Sequence, residues 1–331
     1  MRRTIRVLAS LAVAVAASCG AGKPVAPEYT LEVRDLDDEG AEEALLAAIR
    51  KGDPGALRAA LEVGVEPDAA EEGGRTALMI AAMLGDADAV DALLAAGANV
   101  NARQADGATA LMIAAGLGET EIAEVLVAAG AEIDARTAEG ITALMFAAMA
   151  GDAETAALLL DRGASIEAVE AVGEDALFVA ASEGRSTVVD LLLARGAKAG
   201  TARKDGKTAL MAAASSGDAV AVRTLLDHGA DANAAKKQGL TALMAAAGAG
   251  RAEIARILCE AGARLDDVNF AGWSALMFAA GKGHAETVAY LLGRGADVRL
   301  ADGLGATAAQ VARAAGHEAV ASAIEAAAGT P

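Results

Sequence analysis

The chain is 331 residues long, 54% hydrophobic but only 2% aromatic, and carries a formal net charge of −18. So acidic a balance repels nucleic acid in general, and so few rings leave little on which bases or sugars stack. An apolar fraction made of small aliphatic residues suits many thin packed layers and excludes one large aromatic-lined pocket.

Arg2, Arg3 and Arg6 precede a short apolar stretch at 7–17, and the small residues Ala16, Ala17 and Ser18 stand before Cys19. A basic start, an apolar run of this length and small residues before a cut describe an export signal over 1–18, too short to span a bilayer. The junction resembles a bacterial lipobox, which implies that Cys19 is the lipidated N-terminus of the processed chain. Ala16 departs from that pattern, where a larger aliphatic residue is commoner. Ordinary cleavage near Ala16 or Ala17 and an uncleaved anchor are the alternatives. By the same resemblance, Gly20 after the cysteine implies sorting to the outer membrane of a two-membrane envelope. Arg2-Arg3 lacks the surroundings of a twin-arginine signal, so general secretion is the expected route.

Residues 19–40 follow as an acidic linker with two prolines, GAGKPVAPEYTLEVRDLDDEG after the cysteine. Fully extended, about 20 residues reach about 70 Å, enough to hold a domain clear of a membrane. The stretch 29–33 is alternatively a short strand against the first repeat. Gly20-Ala21-Gly22-Lys23 lacks the spacing and the Ser or Thr of a phosphate-binding loop.

From residue 71 onward a 33-residue period takes over. Thr-Ala-Leu stands at 76–78, 109–111, 142–144, 208–210 and 241–243, with Asp-Ala-Leu at 175–177 and Ser-Ala-Leu at 274–276. Glycine keeps the register at Gly74, Gly107, Gly140, Gly173, Gly206, Gly239, Gly272 and Gly305, and a second row runs from Gly97 to Gly295. A fixed period of this size means a solenoid of units too small to bury their apolar faces alone. In the unit 107–139, Thr109 caps a helix carrying Leu111 and Ile113, and Gly118 breaks it. A second helix follows with Ile122, Val125 and Leu126, which Gly130 ends. A proline at Leu144 is expected to break the corresponding inner helix.

The pattern G-x-T-A-L-M-x-A-A-x-x-G, a second helix, then L-L-x-x-G-A resembles the ankyrin repeat over roughly 74–327. The resemblance implies an all-α solenoid of helix, turn, helix and hairpin: seven repeats over 71–301, an N-terminal capping helix pair over 41–70, a shortened capping repeat over 302–327, and a tail at 328–331. The family usually has His after Thr-Pro-Leu, tying the helix start to a neighbouring hairpin. Here Met79, Met112, Met145, Phe178, Met211, Met244 and Met277 stand instead. Those polar ties are therefore expected to be absent, replaced by an apolar seam of flexible thioethers.

No Ser-His-Asp order, no H-E-x-x-H and no paired cysteine ligands occur, so no catalysis, cofactor or metal is expected. His228, His284 and His317 stand where such repeats commonly carry structural histidines. With Cys19 lipidated, Cys259 is the one remaining thiol and no internal disulfide is possible. It replaces the second residue of a Leu-Leu pair, the place of a buried structural thiol.

What remains is recognition of a protein partner by a monomer that meets membrane only through its lipid. By register, Met83, Leu84, Leu117 and Met149 line the inner-helix face of the first three repeats, followed by Ser182-Glu183, Ser215-Ser216 and Gly248-Ala249. At the hairpin tips stand Arg103, Arg136, Arg203, Lys204, Lys207, Lys236 and Lys237, then Phe270 and Trp273. Aromatics beside a charged strip have the composition of binding anchors. The other reading is that tips are merely polar and that Trp273 packs on the adjoining finger. In function, a tethered envelope scaffold binding through the concave groove is expected, the alternative being an accessory or immunity-type protein that protects or regulates an envelope enzyme or toxin.

Overall fold

The computed structural model describes residues 38–329, which fall into two compact units, one ending at Ser165 and the other beginning at Ile166. The export signal, Cys19 and the proposed strand at 29–33 lie outside the described residues. Unit 1 contains α1 (Asp38–Lys51), α2 (Pro54–Glu62), α3 (Ala77–Leu84), α4 (Ala87–Ala95), α5 (Ala110–Leu117), α6 (Thr120–Ala128), α7 (Ala143–Ala150) and α8 (Ala153–Asp161). Unit 2 contains α9 (Ala176–Ser182), α10 (Ser186–Ala194), α11 (Ala209–Ser216), α12 (Ala219–Asp227), α13 (Ala242–Gly248), α14 (Ala252–Glu260), α15 (Ala275–Gly281), α16 (Ala285–Gly293), α17 (Ala308–Ala314) and α18 (Glu318–Ala328). Among the described residues there is no extended strand, only single bridges across hairpin bases such as Ala202 with Thr208 and Val268 with Ser274. The fold is an all-α repeat solenoid.

Each 33-residue layer is an inner helix, an outer helix and a hairpin. Inner helices pack on inner helices (α3 on α5 on α7, and α9 on α11 on α13 on α15 on α17), with an outer row beside them. The cause is visible at each start. Thr109 and Thr142 accept the amides of Met112 and Met145 through Oγ1, each at 3.4 Å, capping the helix where its N–H groups have no internal partner. In the fourth layer the cap is a carboxylate, and Asp175 takes the Phe178 amide at 2.7 Å, shorter as a charged acceptor should be. The Met that follows each Thr-Ala-Leu or Ser-Ala-Leu is at most 2% exposed, so the expected thioether seam exists. The Thr-Ala-Leu leucines are buried as deeply, each contributing about 1.5–3 kcal/mol of apolar transfer.

Glycine is demanded most clearly at Gly283, where φ is +71° and a Cβ would come 2.5 Å from Nδ1 of His317. Gly250 stands in the same relation to His284, whose Nε2 lies 3.2 Å from the Gly248 carbonyl. Histidine therefore does tie neighbouring layers here, from the start of the outer helix.

The helix of the N-terminal pair begins at Asp38, inside the segment read as linker. Asp38 and Glu39 occupy its first turn, where the helix dipole favours negative charge. Asp53 caps α2 through the Ala56 amide at 3.0 Å, with Pro54 opening the helix. At the other end Gln310 accepts the Thr307 amide at 2.9 Å to start α17.

Side chains at the hairpin bases connect the layers. In unit 1, Asp68 accepts the Asn99 amide, Asn101 the Glu132 amide and Asp134 the Ser165 amide, at 2.8–2.9 Å. Asn101 also donates to the Gly130 carbonyl at 3.1 Å. These rungs supply the hydrogen bonds that a thioether in the family's usual His position does not.

Candidate functional site

The hairpins hold their shape by folding an acceptor back on their own amides. Asn269 Oδ1 accepts from Ala271 and Trp273, Asp302 Oδ1 from Leu304 and Ala306, and Glu170 Oε1 from Val172 and Glu174, all at 2.9 Å. Successive tips are then stitched by backbone. Lys237 donates to the Asp205 carbonyl, Phe270 to Gln238 and Gly303 to Ala271, at 2.9–3.0 Å. The tips of unit 2 thus form a row in fixed register.

Several of the tip cations are occupied within the molecule. Arg103 donates to the Arg136 carbonyl at 2.9 Å and lies 3.4 Å from Glu132, while Arg136 is exposed. Arg203 pairs with Glu174 at 2.7 Å, lies 3.3 Å from Asp205, and sits over the Phe178 ring at 5.6 Å. Lys207 lies over the same ring at 5.5 Å. Lys204 donates through Nζ to the Ala171 carbonyl at 2.7 Å. These side chains join one finger to the next. Lys237 is exposed and Lys236 half-buried.

The two aromatic tip residues divide. Trp273 is half-buried, meets Phe278 edge-on at 5.3 Å, and lies near enough to the Asp302 carboxylate of the adjoining finger for its indole to favour the ionised form. That carboxyl is held below its usual range by the Ala306 and Leu304 amides first, with the indole adding to them. Phe270 is 84% exposed and Leu304 95% exposed. Lys237 and Phe270 occupy the same position on two consecutive tips, and Leu304 stands one place past that position on the next.

On the inner-helix face of unit 1, Met83, Leu84, Leu117 and Met149 are all half-buried at the C-terminal ends of α3, α5 and α7. In unit 2 the corresponding serines turn inward: Ser182 donates to the Val179 carbonyl, Ser215 to Met211, and Ser216 to Ala181 and Ala213. Ser182, Glu183, Ser216 and Asp218 line an open depression of about 570 Å³ there. It is polar and shallow, without the apolar walls of a small-molecule site.

Two features were not anticipated from sequence. One is the knot at the fourth hairpin. Glu170 is buried with Oε2 unpartnered, Thr201 donates to Asp175 at 2.8 Å, and burial raises the Glu174 carboxyl even against the opposing pull of Arg203. Its only sequence sign is that Asp175 and Phe178 replace the usual Thr and Met in one repeat. The other is Leu304, which belongs to the capping repeat and so to no binding pattern. Cys259 is buried, and burial pushes its thiol up, away from a nucleophilic thiolate, against the weaker opposing influence of the nearby Tyr290 hydroxyl. Among the described residues no group of three or more His, Cys, Asp or Glu is placed to hold a metal, and no helix is long and apolar enough to cross a membrane.

A family model described as ankyrin repeats (3 copies) matches residues 15–104, 44–137, 111–202 and 177–269, and one described as ankyrin repeat matches 271–303. No curated protein matches the chain.

Proposed function

Because the chain belongs to the ankyrin repeat family, we propose that it is a scaffold tethered in a bacterial cell envelope, which anchors a protein partner on the tip row Lys237, Phe270 and Leu304. Ankyrin repeats make protein–protein interaction scaffolds, and such proteins are generally binders and not catalysts. The observation that carries the assignment of the surface is the exposure of Phe270, at 84%, beside an exposed lysine on the stitched neighbouring finger. A large apolar side chain held rigid and left wet gains the most from a partner's pocket, and flanking cations steer an acidic partner toward it. Trp273 is already spent on Phe278 and Asp302 and supports the finger from beneath. The inner-helix residues Met83, Leu84, Leu117 and Met149 are the second contact area of this reading, through the concave face.

Tethering rests on the lipobox-like run before Cys19. Labelling cells with a fatty-acid analogue tests it: label that disappears in Cys19→Ala supports the anchor, and an unlabelled wild-type chain removes it. A photo-crosslinking residue placed at 270, and separately at the exposed outer-helix position 220, tests the surface in intact cells. Crosslinks to one protein from 270 and none from 220 are expected. The reverse pattern would move the site off the tips.

A further inference from the structure

The rungs at the hairpin bases do not run unbroken through unit 2. The register that holds Asp68, Asn101 and Asp134 in unit 1 continues as Glu167, Gly200, Asn233 and Asp266. Asn233 accepts the Arg264 amide at 2.8 Å and donates to the Gly262 carbonyl at 3.1 Å, and Asp266 accepts the Asp297 amide at 2.9 Å. Glu167, one methylene longer, makes no such rung and pairs with the Lys198 ammonium, in a bridge whose two side chains are more than 60% exposed. Gly200 has nothing to offer, and the Asp231 amide that stands in the partner position makes no hydrogen bond within the protein.

We propose that this missing rung makes the seam between the hairpins at 196–208 and 229–241 the yield point of unit 2, a hinge at which the stack opens locally before it unfolds. Apolar packing does not distinguish this seam, since α9, α11, α13 and α15 carry the same fully buried Ala-Leu pair and Met or Phe. The polar ties do. On the Glu167 side the fingers are bound by Arg203 to Glu174, Lys204 to the Ala171 carbonyl and Thr201 to Asp175. On the Asn233 side the two amide bonds of Asn233 are joined by His284 on the Gly248 carbonyl. Across the 200–231 seam the fingers share the backbone bond from Lys237 to the Asp205 carbonyl and the attraction between Lys236 and the partly exposed Asp205 carboxylate, which solvent screens. Beyond these there are two exposed ties between helices, Arg223 with Glu253 and Arg251 on the Ser216 carbonyl. Exposed pairs of that kind contribute little. Glycine is not required at 200 by its surroundings: its φ is outside the left-handed region, and a Cβ there meets nothing within 4 Å. The absent side chain is the difference.

Amide hydrogen exchange by mass spectrometry on the full chain tests this. In the wild type, peptides of α11 to α14 should exchange faster than those of α15 and α16. Gly200→Asn should slow them roughly fivefold relative to Gly200→Ala, the worth of about one recovered hydrogen bond. The Ala variant controls for the lost freedom of glycine in the unfolded chain. Asn233→Gly should create a second fast seam, between the hairpins at 229–241 and 262–274. Even protection along unit 2, or a Gly200→Asn chain no slower than Gly200→Ala, would overturn the proposal.

Discussion

The inner helices and the hairpin tips of this protein follow opposite rules. From α3 to α15 the inner helices repeat almost letter for letter, with Ala-Leu-Met or Ala-Leu-Phe fully buried in each. The tips share a backbone and little else: Arg203 and Lys204 are tied into neighbouring fingers, while Phe270 and Leu304 stand in water. The difference teaches where individuality is affordable in a stacked array. A residue between two layers must fit both, so substitution there is felt twice; a tip residue answers only to its own turn and one neighbour.

The largest effect should come from breaking an inner helix. Ala148→Pro removes a helix-interior amide and places a ring against the preceding turn, at a cost of about 3 kcal/mol or more. Leu144, where the sequence reading would put that break, is the second residue of α7. The first helical backbone bond there is Phe146 to the Thr142 carbonyl, so a proline at 144 forfeits packing but no helix hydrogen bond. Thermal melts followed by far-ultraviolet circular dichroism should therefore show Ala148→Pro losing helicity cooperatively around its layer. A melt unchanged within error would contradict the stacked-layer account.

Next in size are the caps, and they sharpen the comparison within the inner row. Asp175→Ala should cost about 2 kcal/mol, because it removes a charged cap and the tie from the Thr201 hydroxyl, which keeps only the Lys198 carbonyl; Thr142→Ala should cost about 1 kcal/mol for its longer bond. Equal losses in urea titrations would mean that the carboxylate adds nothing beyond a hydroxyl.

The smallest effect concerns Glu174 and depends on pH. Burial raises its folded pKa above the unfolded value, so the protonated form favours folding. Its ionisation therefore lowers stability as pH rises through the folded pKa, and the penalty is absent below the unfolded one. Glu174→Gln should match wild type in acid, then become the more stable by less than about 1 kcal/mol as pH passes above the ordinary glutamate range. The opposite sign would show that the Arg203 pair outweighs burial.

The period of 33 was enough to establish the layers, because burying an Ala-Leu-Met face on an identical neighbour is a requirement that every repeat must write into its own letters. The helix starts at Thr109 and Thr142, the burial of the Met row and the turns at the periodic glycines were legible for that reason. The role of the tip cations was not. Whether Arg203 reaches outward to a partner or sideways to Glu174, 29 residues before it, depends on the spacing of two fingers, which no local pattern encodes. Trp273 and Phe270 are three positions apart in one hairpin, and composition treats them alike. Only the stacked structure turns the first against Phe278 and Asp302 and leaves the second exposed. Gly200 is the same case in reverse. In the sequence it is one glycine among 37, and its meaning appears only when the Asp231 amide is found opposite it with no acceptor. Sequence determined what each layer must bury, since that is a property of one repeat and its copy. Tertiary structure decided which polar groups meet across layers, since that depends on distances between residues about 30 apart in the chain.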